Sequence, residues 1–427
     1  MHPRVLIIAT TPYSENYSSR SLDAYFHFWE KENVAQIFTR NIIPTKGHCE
    51  ELYQIADSVL LKRWLHKVKD TGVVYYYEDL ADSGKNQVMA DSALQRIGTK
   101  HTPAIEIMRS MLWRKRYWCT DQFNDWLDKF QPECIFYNFS DHIFTQQIAL
   151  YVAERYNIPI IAAIGDDFYF NGQRSNSPSY HLYRSIFKKL TRKLLCRKNS
   201  SAVYVNNAIR DKYNNEFGLK GETIYFNSTV ERREFKPIDR NDPLICYFGN
   251  IRLGRNNSLL DIADALRQID PHYKLDVYAG ESDPQYYREL EEHPDIVYHG
   301  AVPYAEVKKK TAECDVLAVV EGFRDKDIAF TKYSLSTKAA DSLASGCAIL
   351  AYGPEEAGVI SYLKETGAAF ACTDKDELTE VIRKMLSDRD EQELKYQKAI
   401  TAFEKNHTLE SSDAAFNRIL RRAIRGE

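Results

Sequence analysis

The sequence lacks the features that mark several large classes of protein. No run approaches the roughly 18 to 20 apolar residues of a membrane span, and the apolar start of the chain is too short for a signal peptide. The eight cysteines include no C-x-x-C pair and no cysteine–histidine cluster at zinc spacing, which argues against a metal site and a disulfide framework. The net charge of -3 gives no basic field for nucleic acid. These absences favour a protein of the reducing cytoplasm.

The 427 residues are enough for two domains with separate cores, and short apolar runs alternate with helical patterns, which is typical of parallel α/β layers. The predicted strands are residues 5–9, 34–38, 134–137, 159–164, 202–205 and 223–226, then 244–248, 275–278, 296–298, 315–320, 348–351 and 368–371. Residues 47–129 have a mostly helical pattern that fits a sheet poorly, and a polar segment with two prolines, 236–243, joins the halves. Two doubly wound sheets would bind ligands at the carboxyl ends of their strands.

One strand-loop-helix-strand unit, which contains residues 334–353, carries the most chemical information. Ser336 and Thr337 lie at the predicted helix start, where capping oxygens, free amides and the helix dipole make an anion site. Lys338 lies in the first turn, and Asp341 follows three residues later on the same helical face. A phosphate at Lys338 and a ribose diol at Asp341 fit this spacing. The segment therefore predicts a nucleoside diphosphate site, with an ordinary capped crossover helix as the open alternative.

Other short motifs of the second half stand in a familiar order. They are residues 249–252 (GNIR) with Arg255, 298–304 (YHGAVPY), 314–316 (CDV), 336–338 (STK) with Asp341, 344–346 (ASG) and 352–354 (YGP). Their order and spacing over residues 243–386 resemble the GT-B glycosyltransferases, of the family 4, group 1 type, that build capsular, lipopolysaccharide and exopolysaccharide chains. The resemblance is weaker over the first half.

The resemblance implies an α/β fold of two Rossmann-like, doubly wound domains that face a central cleft. Residues 1–238 would bind the acceptor, residues 239–405 the nucleotide-sugar donor, and the helix in 406–427 would pack back on the first domain. In this family Gly249 would let the backbone approach the diphosphate, Arg255 and Lys338 would pair with its phosphates, and Asp341 would take the ribose hydroxyls. Because these cations and a helix start neutralise the diphosphate, we expect no metal ion and no other cofactor.

One departure from the family concerns a glutamate. Many retaining members carry it eight residues before the ribose-binding acid, where this chain has Tyr333. Glu321 resembles the missing residue but precedes a longer loop, 324–332, so it either returns to the donor sugar or that contact is absent. We keep Glu321 as a donor-site candidate. The charged turn 324–327 is either a lid or a solvated turn.

Candidate catalytic residues of the first half follow strand ends. His142, with Asp141 before it, follows the strand at 134–137, and Asp166 and Asp167 follow the strand at 159–164. A carboxylate there would deprotonate an acceptor hydroxyl in an inverting transferase, or only orient the acceptor in a retaining one. A helix cap is an equally good reading of Asp141.

Two basic segments of the first half suggest a contact with an anionic membrane. Residues 183–198 contain seven cations and no acid, with apolar residues at helical spacing, and residues 109–118 interleave four cations with Trp113, Tyr117 and Trp118. The alternative is that the helices pack on the sheet with their cations in water.

The motifs together predict a metal-independent hexosyltransferase of surface-polysaccharide assembly, cytoplasmic and peripheral on the inner face of the membrane. Its expected donor is a nucleotide sugar, with UDP favoured and GDP the alternative, and its acceptor is a saccharide, taken as lipid-linked. Nucleic acid is not an expected partner. Two other functions stay open: a nucleotide-sugar 2-epimerase of GT-B fold, and a non-catalytic subunit that binds nucleotide sugar or a partner transferase.

Overall fold

Parallel strands and crossover helices make up most of the structure, a computed structural model that describes residues 2–14, 19–82, 103–170 and 176–426. The chain divides into two units, Met1–Ile224 with Asp413–Glu427, and Tyr225–Ser412. Each unit has its own sheet and its own apolar core. No helix in the described part of the chain has both the length and the apolar character needed to cross a membrane.

The sheet of the first unit has eight strands in the order β4-β3-β2-β1-β5-β6-β7-β8. They are β1 (Val5–Ile8), β2 (Val34–Phe38), β3 (Glu51–Ile55), β4 (Gly72–Tyr76), β5 (Cys134–Asn138), β6 (Ile160–Ile164), β7 (Ser201–Tyr204) and β8 (Glu222–Thr223). All neighbours are parallel except β3 and β4. Because Val5 lies opposite both Val34 and Cys134, β1 is the centre from which the strand order runs outward in two directions.

Helices cover this sheet. They are α1 (Ser19–Phe26), α2 (Asp57–Trp64), α3 (Pro103–Leu112), α4 (Lys115–Trp118), α5 (Asp121–Phe130), α6 (Ile143–Tyr156), α7 (Pro178–Leu195) and α8 (Asn207–Phe217). From residue 413 onward the last helix also belongs to this unit, and Phe416 packs edge-on against Phe26 and Phe136 in its core. Aromatic edge-to-face contacts of this kind add to the stabilisation from apolar burial.

The expectation that residues 47–129 fit a sheet poorly is wrong, because β3 and β4 lie in that stretch. The strand β3 contains Gln54, a polar residue that breaks the apolar signal. Its buried amide donates to the carbonyls of Arg40 and Ile42, both at 2.8 Å, and accepts from the Tyr75 hydroxyl at 3.1 Å. Satisfied hydrogen bonds remove the cost of burying that amide, which no local pattern in the sequence reveals.

The sheet of the second unit has six parallel strands in the order β11-β10-β9-β12-β13-β14. They are β9 (Ile245–Phe248), β10 (Leu275–Tyr278), β11 (Ile296–Tyr298), β12 (Val316–Val320), β13 (Ala348–Tyr352) and β14 (Phe370–Cys372). The helices are α9 (Arg255–Ile269), α10 (Pro284–Glu292), α11 (Tyr304–Glu313), α12 (Asp325–Thr331), α13 (Thr337–Ser345), α14 (Gly358–Thr366), α15 (Leu378–Ser387) and α16 (Arg389–Asn406). The last helix, α17 (Leu409–Arg425), begins in this unit and belongs to the first unit from Asp413 onward. The strand order reverses between β9 and β12, which is where doubly wound sheets bind ligands.

The segment 225–238 belongs to the second unit, whereas the sequence places the boundary after it. The Tyr225 ring stacks on that of Tyr362 with 4.9 Å between centroids, and the amide of Arg233 donates to the carbonyl of Ser345 at 3.0 Å. The polar, proline-containing stretch therefore follows a segment that is already packed on the second core.

Candidate functional site

The candidate site of the second unit lies where the strand order reverses. Gly249 follows the last residue of β9, and Glu321 follows the last residue of β12. Gly249 has a φ of +133°, and a Cβ atom there would lie 2.3 Å from Cε of Lys338. Only glycine combines this backbone conformation with space for the lysine side chain. The group that approaches the Gly249 backbone in the structure is the Lys338 side chain, and the predicted approach of a diphosphate to this glycine stays a prediction.

Lys338 is the centre of the site. Ser336 precedes α13 and accepts a hydrogen bond from the Lys338 amide at 3.3 Å, and Thr337 is the first residue of the helix. The lysine Nζ donates to the hydroxyl of the buried Tyr247 at 2.7 Å and lies 4.4 Å from the centre of its ring. Loss of contact with water, reinforced by the positive charge of Arg255, lowers the pKa of Lys338 to about 7. An anion at Nζ would restore the charged form.

Arg255 and Glu321 form an ion pair beside this lysine. Arg255, the first residue of α9, donates from Nε and Nη2 to the two carboxylate oxygens of Glu321 at 2.9 and 3.0 Å. Their side chains are only 15% and 4% exposed. The Ser258 hydroxyl also donates to the Glu321 carbonyl at 2.8 Å. Bidentate pairing fixes both partners, so the positive charge of Arg255 is balanced before any ligand arrives.

The loop after Glu321 packs on the turn that precedes α9. Asp327 is buried and accepts from Nε of Arg324 at 2.5 Å. Gly254 has a φ of +75°, and a Cβ atom there would lie 2.6 Å from an Asp327 oxygen. A Cβ atom on Gly322 would lie 2.2 Å from the Leu253 carbonyl oxygen. The reading of 324–327 as a solvated turn is therefore wrong for Asp327, because two glycines allow its loop to close on the protein.

Asp341 lies one turn along α13 from Lys338 and receives a hydrogen bond that the sequence did not reveal. The Ser228 hydroxyl donates to Oδ1 of Asp341 at 2.6 Å. Ser228 comes from the segment 225–238, more than a hundred residues away in sequence, so no local signal connects the two. Among the described residues, no group of three or more histidine, cysteine, aspartate or glutamate side chains has the arrangement of a metal site.

His142 of the first unit lies after β5 at the start of α6, and an unpredicted carboxylate faces it. Its Nδ1 is 3.4 Å from Oε2 of Glu106 on α3, and its Nε2 is 3.9 Å from Asp141. The N-cap position of α6 is His142, which corrects the reading of Asp141 as the cap. A carboxylate beside an imidazole orients the ring.

The adjacent acids after β6 have different environments. Asp167 is buried, and its two oxygens accept from the Lys212 ammonium at 2.8 Å and the Tyr213 hydroxyl at 3.0 Å. Asp166 is the more accessible of the two side chains, and partial desolvation by the chain around it, together with the charge of Asp141, raises its pKa. Asp167 therefore anchors the loop, and of the two acids Asp166 is the better placed to exchange a proton with a ligand.

Two of the three aromatic residues assigned to a membrane surface are instead in the core, because Trp113 and Trp118 are 0% and 1% exposed. The Trp113 indole donates to Asp57 at 2.5 Å and stacks on Phe144. On α7, Phe187 and other apolar residues face the core, and the cations of residues 188–193 face outward. The packed helices α3 and α7 still expose four apolar side chains: Met108, Met111, Leu182 and Ile186.

No family model and no curated protein sequence matches this chain. Solved structures do. Anabaena Alr3699/HepE, solved in complex with UDP-glucose, is similar with a TM-score of 0.58 and 12% identity over 98% of this chain and 100% of that one. Sucrose-phosphate synthase from Thermosynechococcus elongatus is similar with a TM-score of 0.56 and 12% identity over 100% of both chains. WaaG, a glycosyltransferase involved in lipopolysaccharide biosynthesis, is similar with a TM-score of 0.54 and 11% identity over 97% of this chain and 99% of that one. These likenesses confirm the predicted fold class, the GT-B fold with two Rossmann-like domains.

Proposed function

We propose that this protein is a glycosyltransferase that moves a sugar from a nucleotide diphosphate sugar to a saccharide acceptor. One observation carries the proposal: Lys338 meets the Gly249 turn at the point where the strand order reverses, with Asp341 one turn along the same helix. The fold is shared with a protein solved with UDP-glucose and with a named glycosyltransferase, which supports a sugar nucleotide as ligand. UDP is the favoured nucleotide and GDP the alternative.

The proposed donor site works by charge compensation. As the bond to the sugar breaks, negative charge grows on the leaving diphosphate, and preorganised cations and amides stabilise it most at that stage. Lys338 and the start of α13 supply this stabilisation, and Arg255 adds to it once a phosphate competes for its pair with Glu321. Asp341 binds the ribose hydroxyls. We propose that these groups neutralise the diphosphate without a divalent metal ion.

We propose Asp166 as the group that receives the acceptor proton if transfer inverts the sugar. Its raised pKa suits a base better than the fixed carboxylate of Asp167 does. His142, paired with Glu106, is the second candidate for that proton. If transfer retains configuration, the leaving diphosphate takes the proton and these residues orient the acceptor.

We propose further that the acceptor is lipid-linked and that the protein meets it on an anionic membrane during surface-polysaccharide assembly. The exposed apolar residues of α3 and α7 support this, because they adjoin a helix with many cations. Two of those cations already have partners: Arg192 pairs with Glu216, and Lys193 with Glu154 at 2.8 Å. The attraction would therefore rest on the remaining lysines and on apolar burial.

A non-catalytic, nucleotide-binding subunit is the second candidate function. Both oxygens of Glu321 are bound by Arg255, and Tyr333 occupies the position of the glutamate that many retaining members of the GT-B family carry. Both features favour binding without transfer.

A nucleotide screen followed by a transfer assay tests both candidates. Thermal shift with UDP-, GDP-, dTDP- and CMP-sugars should select one nucleotide, and release of that nucleotide in the presence of a saccharide acceptor should persist in EDTA. Binding without transfer to any acceptor would favour the non-catalytic subunit. No stabilisation by any sugar nucleotide would refute the donor site.

A further inference from the structure

The hydrogen bond between Ser228 and Asp341 has a fixed direction. The Ser228 Oγ accepts from the amide of Val230 at 3.1 Å, and an amide N–H can only donate. The hydroxyl in turn donates a hydrogen bond to Oδ1 of Asp341, 2.6 Å away, because a carboxylate oxygen accepts. A carboxylate that accepts this bond is held in one rotamer.

His407 holds the segment that carries Ser228. Its ring Nδ1 lies 2.6 Å from the carbonyl of Phe226, and its own carbonyl accepts from the Ser228 amide at 3.2 Å. Since a carbonyl can only accept, Nδ1 carries the proton, and Nε2 is the acceptor that faces the Tyr362 hydroxyl at 2.7 Å. The ring is buried, and burial lowers the pKa of His407 to about 4. It is therefore neutral at pH 7.

The Tyr362 hydroxyl completes the arrangement. It donates a hydrogen bond to Nε2 of His407 and accepts one from the side-chain amide of Asn406 at 3.0 Å. Each polar group in this chain of contacts has a donor or acceptor of the right kind, and hydrogen bonds that satisfy one another hold the groups in one arrangement. The network thus connects the end of α16, where His407 lies, to the middle of α13 through Ser228.

We propose that Ser228, His407 and Tyr362 are positioning residues that hold the Asp341 carboxylate ready for the ribose of a nucleotide. The inference rests on the proposed donor site, and it adds that a ribose diol meets an acceptor already fixed by the protein. Fixing the carboxylate before binding lowers the ordering cost that the ligand would otherwise meet. None of the three residues touches the nucleotide in this proposal. Their effect passes through Asp341.

Calorimetry with two ligands tests the proposal: UDP, or GDP if the nucleotide screen selects it, and the same nucleotide lacking both ribose hydroxyls. Ser228 acts on the nucleotide only through the position of Asp341, so its loss should cost less than a direct charge-assisted contact. Ser228→Ala should therefore weaken binding of the normal nucleotide by roughly three- to ten-fold. Binding of the 2′,3′-dideoxy form should not change. Ser228→Thr keeps the hydroxyl and should restore the affinity. Tyr362→Phe should show a smaller loss with the same dependence on the ribose hydroxyls.

The controls separate this inference from the donor site itself. Ser387, an exposed serine of the same unit, provides the matched variant Ser387→Ala, which should bind both ligands normally. If Asp341→Ala discriminates between the two ligands but Ser228→Ala does not, the positioning role is refuted and the donor site stands. If Asp341→Ala binds both ligands as the unaltered protein does, the donor site is misplaced, and the positioning role is refuted with it. Equal weakening of both ligands by Ser228→Ala would indicate general damage and also refute it.

Discussion

Binding of a sugar nucleotide should take up a proton at Lys338. With a pKa of about 7, roughly half of the unliganded molecules carry the ammonium at neutral pH. A diphosphate beside Nζ favours the charged form, so on the order of half a proton should enter the complex at pH 7. The groups that face this Nζ are the Tyr247 hydroxyl, the Arg255 guanidinium and the Glu321 carboxylate.

The sign of the pH dependence follows from the two pKa values. Below about pH 7 the lysine is charged before binding, and affinity is full. Above pH 7 each molecule must first bind a proton, so affinity falls by up to about ten-fold per pH unit until the pKa of the complex is reached. Between pH 6 and pH 9 the loss should approach 100-fold. A UDP-sugar is the right probe, because its diphosphate carries no proton that titrates in this range.

The variant Lys338→Met isolates this effect. It removes a charge-assisted contact worth roughly 1.5 to 3 kcal/mol, so binding at pH 6 should weaken by about one to two decades, and the pH dependence and proton uptake should disappear. Folding removes the Lys338 ammonium from water, which disfavours its charged form in the folded state. The same variant should therefore raise the free energy of unfolding at pH 7 by roughly 1 to 3 kcal/mol. Calorimetry in two buffers of different ionisation enthalpy measures the protons directly. Proton uptake that persists in Lys338→Met would refute the reasoning.

Three further predictions concern other parts of the molecule. Asp166→Asn should lower turnover by roughly two to four decades in an inverting enzyme, with donor affinity unchanged, and near-normal turnover would exclude Asp166 as the base. Asp167→Asn should mainly lower the melting temperature, because it removes the buried carboxylate that pairs with the Lys212 ammonium. Glu321→Gln should release its arginine and tighten binding of nucleotide diphosphate by a few-fold, and weaker binding would contradict its role as a competing carboxylate. The protein should sediment with anionic vesicles at low salt, with less sedimentation after Leu182→Glu or Lys189→Glu; vesicles that fail to bind the unaltered protein would exclude the membrane proposal.

The fold was predictable from the sequence because its strands are short apolar runs separated by helical patterns. The strand at 316–320 is an unbroken run of buried aliphatic residues. It precedes the STK motif at 336–338 in the sequence, and this order of strand and motif indicates a Rossmann-like second domain. The strand β3 escaped prediction because the partners that satisfy Gln54 come from distant residues. Trp113 was assigned to the membrane surface because it stands among cations in the sequence. That local pattern is the same whether the side chain faces water or, as here, is buried against Asp57.

The site was predictable only in part, for a reason that concerns distance along the chain. Lys338 and Asp341 share a helix, so their spacing in the sequence carries information about their spacing in space. Arg255 and Glu321 are 66 residues apart, and Ser228 and Asp341 are 113 residues apart. Pairs of this kind are brought together by the fold, and a single sequence contains no local trace of them.

The ion pair between Arg255 and Glu321 has a consequence for competition among anions. A cell contains simple phosphates and carboxylates in large excess over any one sugar nucleotide, and an uncompensated arginine would attract them all. Here such an anion would first have to displace a buried carboxylate that already binds in bidentate fashion, and it has no ribose to offer Asp341. A sugar nucleotide offers both kinds of contact at once. The site would therefore stay open to the proposed sugar nucleotide in a mixture of many anions, even though its affinity for that ligand would be lower than an unpaired arginine would give.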